Sequence, residues 1–126
     1  MAYVTGFLLA VPTANKAAYK KMAESAWEMF REHGCLALRE NWGADVPDGK
    51  VTSFPMAVAR KDDETVVFSW MEWPDKQTCD LAWEAIMKDP RMAQMGQMPF
   101  DGMRMMWGGF EELVRLQDPA GTGAPA

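Results

Sequence analysis

Residues 3–11 read YVTGFLLAV, and both alternating sets of this β-prone run are apolar. Tyr3, Thr5, Phe7, Leu9 and Val11 point one way, and Val4, Gly6, Leu8 and Ala10 point the other. Residues 65–73, TVVFSWMEW, repeat the pattern, with Val66, Phe68, Trp70 and Glu72 on one side. A strand with one wet face alternates apolar with polar residues. Two strands apolar on both sides therefore predict a sheet that is covered twice.

Working outward from these strands, Pro12 ends the first, and Asn15 is placed to cap a helix over residues 16–32. Tyr19, Met22, Ala23, Ala26 and Phe30 form its apolar stripe. Gly34 suits the position after its C-terminus. A strand over 35–42 follows, with Leu36, Leu38, Glu40 and Trp42 on one face. Residues 43–55 hold two prolines and two glycines and read as a long loop. A short strand at 56–60 is expected to form a hairpin with 65–73. Pro74 and Asp75 open a second helix, with Asp75 as N-cap and Cys79, Ala82, Trp83, Ile86 and Met87 as its buried stripe. Asp89-Pro90 stops it. Residues 91–102 read as a loop with at most one helical turn, and 103–116 as the last strand. One domain over 1–117 is expected, with the Gly-, Pro- and Ala-rich 118–126 as a disordered tail.

The order is β-α-β-β-α-β with one extra short strand, an α+β, ferredoxin-like pattern with an antiparallel sheet. Two helices cover one face of such a sheet. The other face, apolar here, calls for a second copy packed sheet against sheet as an isologous homodimer.

The chain has 126 residues, 13 basic against 18 acidic, and a net charge of −5. That balance disfavours nucleic acid, whose backbone is bound by clustered Lys and Arg. No apolar run reaches the roughly 18–20 residues of a membrane span. No basic segment precedes the apolar run at the N-terminus, so a cytoplasmic location is expected. Cys35 and Cys79 lack CxxC spacing and are expected to be reduced core residues.

His33 is the only histidine, which excludes a histidine-rich metal site. At the end of a helix it suits the dipole, and it is one candidate general base. Glu72, a carboxylate on an apolar face, is the other. Glu72 or Asp101 paired with Arg104 could hold a small anionic or phenolic molecule. The favoured alternative is an edge ion pair worth under about 1 kcal/mol. Trp42, Trp70 and Trp107 supply flat apolar surface for core, interface or pocket. The methionines at 92, 95, 98, 103, 105 and 106 match thioether copper ligands in type, but they read as pliable packing around a loop, and no metal is expected. GxxxxGK[ST], GxGxxG and an RNP1-like run are absent, so no cofactor is implied and RNA binding is disfavoured.

Several stretches resemble a bacterial family of unknown function, the YbaA-like proteins. They are WG at 42–43, VPDGKVTSFP at 46–55, ETVVFSW at 64–70, DPRM at 89–92, MPFDG at 98–102, RM at 104–105 and GGFE at 108–111. The resemblance spans about residues 3–115 and implies a ferredoxin-like protomer in a dimeric α/β barrel. The wider superfamily includes cofactor-free monooxygenases, dismutase-like haem enzymes and stress-responsive proteins, so the fold alone selects no function. Thr5 stands where the family often has an aspartate, and Trp107 where a tyrosine is common.

The expected function is a cytoplasmic homodimer that binds a small apolar or aromatic molecule, in a pocket beside the sheet or under residues 91–103. Trp42, Trp70, Asp101, Arg104 and Trp107 are the binding candidates. If it is an enzyme, a cofactor-free oxygenase or isomerase using His33 or Glu72 is the natural class. One alternative is a non-catalytic dimeric stress or interaction protein. The third is an RNA-associated protein, since some similar sequences carry a signal-recognition-particle RNA label that these residues do not support.

Overall fold

The structure is a computed structural model that describes residues 2–121. Four strands form one antiparallel sheet: β1 (Tyr3–Pro12), β2 (Ala37–Trp42), β3 (Glu64–Trp73) and β4 (Met106–Glu111), in the order β2-β3-β1-β4. The two long strands lie at the centre and pair in unbroken register from Tyr3 opposite Trp73 to Pro12 opposite Glu64. Four α-helices accompany them among the described residues: α1 (Lys16–Glu32), the short α2 (Phe54–Ala57), α3 (Lys76–Met87) and the short α4 (Pro90–Gln94). The long helices α1 and α3 cover one sheet face, as the ferredoxin-like pattern requires. No helix among the described residues is long and apolar enough to cross a membrane.

The core lies between that face and the helices. Thr5, Leu9 and Val11 on β1, with Val67, Ser69, Met71 and Trp73 on β3, are buried there against Ala26, Met29 and Phe30 of α1 and Cys79, Ala82 and Ile86 of α3. The polar Thr5 is accommodated because its hydroxyl accepts the Trp73 indole N–H at 3.1 Å and lies 3.4 Å from the Cys79 sulfur. Both cysteines are free and buried, and burial pushes the Cys35 thiol up to about 11. They are packing groups rather than nucleophiles.

Helix α1 closes as its sequence indicates. His33 is the C-cap and Gly34 takes a left-handed φ of +99°. Asn15 precedes α1 but makes no capping bond; its side-chain amide donates to the Pro99 carbonyl at 3.0 Å and ties down the later loop. Asp75 caps α3 through the Thr78 amide, as expected. Met87, expected in the α3 stripe, is 69% exposed, because the helix has turned past its core face by its last residue.

Two further expectations change. Residues 56–60 form no strand; helix α2 stands there instead, capped by the Ser53 hydroxyl on the Met56 amide with Pro55 in its first turn. The segment then turns through Ala59 at φ +49°. The extra strand is therefore missing among the described residues. The last strand is shorter than 103–116, because Gly102–Arg104 is a 3-10 turn and pairing with β1 ends at Glu111. Residues 91–102 do contain a helical turn, the greater part of α4. The expected tail runs beyond the described residues, and Pro119–Gly121 within it forms a 3-10 turn.

The second sheet face carries Val4, Gly6 and Leu8 of β1, Phe68, Trp70 and Glu72 of β3, and Met106, Gly108 and Phe110 of β4. Val46 and Val58 of the long β2–β3 connection cover one end of it, over Ala10 and Val66. The rest is open. Phe68 is 47% and Phe110 60% exposed.

Candidate functional site

The α1 stripe and the inward face of β2 approach each other above the sheet, and polar groups meet there. Tyr19, in the second turn of α1, donates its phenol O–H to the Glu40 carboxylate of β2 at 2.7 Å. Glu40 lies across the strand pair from Ser69 of β3, whose hydroxyl favours the ionised forms of both Tyr19 and Glu40. Tyr19 and Ser69 are buried. Glu40 is an exposed residue facing the cleft, and the desolvation its carboxylate meets beside Tyr19 raises its pKa above the usual value. Desolvation outweighs the stabilising contacts from Tyr19 and Ser69. Burial, and then the neighbouring Glu40 charge, raises the Tyr19 pKa, so the phenol stays protonated as a donor.

Two cavities meet at this cluster and share the wall formed by Tyr19, Ala23, Leu38 and Glu40. The outer one is an open cleft of about 830 Å³ between α1 and β2. Trp27 and Trp42 line it, and the Lys16 ammonium lies 5.4 Å from the Trp42 ring centroid. The inner cavity, about 200 Å³, lies between sheet, helices and the loop after α3. Met22, Met71, Met92, Met95, Met98 and Met105 line it together with Phe7, Phe30, Trp83 and Phe100. Its lining contains no Lys, Arg or His. Flexible thioethers next to aromatic rings make an adaptable apolar wall, and Glu40 with Ser69 supplies the polar spot. Among the described residues there is no cluster of His, Cys, Asp or Glu that could hold a metal.

The residues singled out in the sequence lie in several places. Trp42 lines the outer cleft. Trp70 is on the open sheet face against Phe68, with ring centroids 5.4 Å apart. Trp107 belongs by register to the helix-covered side but lies at the sheet edge, 71% exposed, so no helix covers it. Glu72 is on the open face opposite Val4, and His33 sits beside the surface ion cluster of Glu32, Arg91 and Asp89. Neither lines the two cavities.

Asp101 and Arg104 do meet, at 3.0 Å, but the dominant partner of Arg104 is Glu64, not Glu72. The guanidinium grips the Glu64 carboxylate with two bonds of 2.7 and 2.5 Å and donates to the Ala59 carbonyl at 3.0 Å. The Glu64 side chain is 4% and that of Arg104 18% exposed. This is a covered clamp that pins the β2–β3 connection and the start of β3 to the turn before β4, not a surface edge pair. Arg104 holds the Glu64 pKa below the carboxylate range.

At Gly108-Gly109 a close approach is made by the protein's own rings, with no bulge in the pairing. A Cβ on Gly109 would stand 1.7 Å from the Tyr3 phenol oxygen, and the Phe110 ring lies over Gly6 and Gly108. Sequence reading missed Tyr19, Glu40 and Ser69 as a site. The available signal was Glu40 on the Leu36, Leu38 and Trp42 face, a carboxylate where an apolar residue fits the pattern.

Residues 2–102 match the family model described as Protein of unknown function (DUF1428). The chain is 52% identical over 115 residues to the uncharacterized protein YbaA of Escherichia coli K12, covering 90% of this chain and 98% of that one. YbaA of Shigella flexneri matches to the same extent. Among solved structures, a mutant of SnoaB, a cofactor-independent oxygenase from Streptomyces nogalater, superposes with a TM-score of 0.56 at 14% identity, covering 93% of this chain and 98% of that one. That likeness concerns the fold.

Proposed function

Because the chain belongs to the DUF1428 family, whose members bring no assigned activity, we propose from its own geometry that it is a homodimer that binds a small, mostly apolar molecule in each protomer. The observation that carries the reading is the inner cavity of about 200 Å³, walled by six methionines and four aromatic rings around one polar cluster. Small-molecule sites have this composition, with few polar groups to orient the ligand. The location differs from most of the sequence candidates. Trp42 remains at the cleft, while Glu72 and Trp70 belong to the open face and Trp107 lies exposed at the sheet edge.

Dimerisation is supported by that face. Exposed apolar groups there line a groove of about 340 Å³ that includes Phe54, Phe68, Met106 and Phe110. Contiguous apolar surface of this kind marks an interaction site. A second copy offers the same surface in self-complementary form. A thermal-shift screen with small aromatic compounds tests the ligand reading, because a molecule that binds the native state raises Tm by mass action. Stabilisation that disappears when Ala23, on the shared cavity wall, is replaced by Phe is expected. No stabilising compound, or stabilisation unaffected by filling the cavity, favours a protein whose Met and Trp residues only pack.

A further inference from the structure

We infer that Glu40 is the acceptor for a neutral hydroxyl donor, and that the inner cavity takes hydroxylated aromatic molecules of one or two rings, anchored by O–H donation to the Glu40 carboxylate. The inference rests on the cavity being a ligand site, as proposed above. It begins from an oddity of placement. Every other lining group of the cavity is apolar except Tyr19 and Ser69, and both already address Glu40.

Size sets the first limit. An engineered apolar cavity of about 150 Å³ admits benzene. A cavity of about 200 Å³ thus suits a substituted ring or a fused pair. Charge sets the second. A carboxylate in a lining without a cation repels carboxylate and phosphate ligands. An ammonium would have to shed its hydration to enter between methionines and aromatic rings, which is costly. A phenol brings no net charge, and its rings replace the water of the cavity against the same wall. Geometry sets the third. The Tyr19 phenol engages Oε1 of Glu40 and shows that an aromatic O–H reaches this carboxylate at 2.7 Å from the helix side. Ligand O–H donation would place a second aromatic hydroxyl on the same group. The Lys16 ammonium stays in the outer cleft by Trp42, so it does not neutralise the acceptor from within the cavity.

The test is calorimetric titration of the full chain with three probes of one shape: 2-naphthol, 2-methoxynaphthalene and 2-naphthylmethylamine. The wild-type protein is expected to bind 2-naphthol about tenfold more tightly than its methyl ether, the difference made by one hydrogen bond to a charged acceptor. Glu40→Met is expected to reduce that preference to within about twofold while the ether still binds, because only the acceptor is lost. Equal affinity of naphthol and ether for the wild type overturns the assignment of Glu40 while leaving an apolar ligand cavity. Tighter binding of the amine makes the site a cation site and also overturns it. If no probe binds, the cavity reading falls with it.

Discussion

Replacing Phe68 by Ser on the open sheet face should break the proposed dimer without unfolding the protomer. Phe68 sits on the central strand β3 and is 47% exposed. A Phe side chain buries on the order of 200 Å² when fully covered, so about 95 Å² remains for a partner to cover. In a two-fold interface the residue occurs twice, giving about 190 Å², or about 5 kcal/mol at roughly 25 cal/mol per Å². That corresponds to roughly a thousandfold or greater rise in dimer Kd. Within the protomer the ring touches Phe54 and Trp70 at its margins and belongs to none of the three core clusters. Sedimentation velocity across a concentration series reads the change. The wild type should sediment as a dimer at micromolar concentration, and Phe68→Ser as a monomer with the wild-type circular dichroism spectrum. A wild-type monomer, or a variant with an unchanged dimer Kd, refutes the argument that this face is covered by a second copy.

Other consequences are tests of stability. Thr5→Val keeps the shape but leaves the buried Trp73 N–H without its acceptor, and denaturant titration should show a loss of about 1–3 kcal/mol. Arg104→Met should lower Tm by roughly 10 °C at pH 7, because it leaves the covered Glu64 carboxylate unpaired. The folded-state pKa of Glu64 is depressed, so its contribution is present above the unfolded carboxylate value of about 4.3 and is lost as pH falls through the folded value. The Tm gap between wild type and Arg104→Met should therefore narrow in acid; a pH-independent gap would show that the clamp's charge is irrelevant. Gly34→Ala should cost at least about 1 kcal/mol in chemical denaturation, since φ is +99° and the new Cβ would lie 2.7 Å from the Thr78 methyl.

The parts of the fold legible in the sequence were those written in contiguous residues. The periodicity of α1, the cap at Asp75 and the closing Gly34 each act within a few positions, and the structure places them as read. The short strand expected at 56–60 failed for a local reason too. Ser53 and Pro55 form a helix start, and that signal outweighed the alternation beyond it. Arg104 shows the other limit. Its neighbour Asp101 was visible at three residues, whereas Glu64, forty residues away, became its main partner only when β1 brought the start of β3 near the turn before β4.

By itself, then, the sequence determined the two central strands, the two main helices and the apolar character of both sheet faces, because side-chain alternation and caps depend on neighbours along the chain. Only the tertiary structure decided where a ligand could sit. Tyr19, Glu40 and Ser69 come from three different elements, and strand register with helix packing brings their polar atoms together. The same packing gathers the methionines of four segments around one cavity and sends Glu72 to the opposite face. A carboxylate's environment is set by what surrounds it in space, and a one-residue change of register would have exchanged those faces.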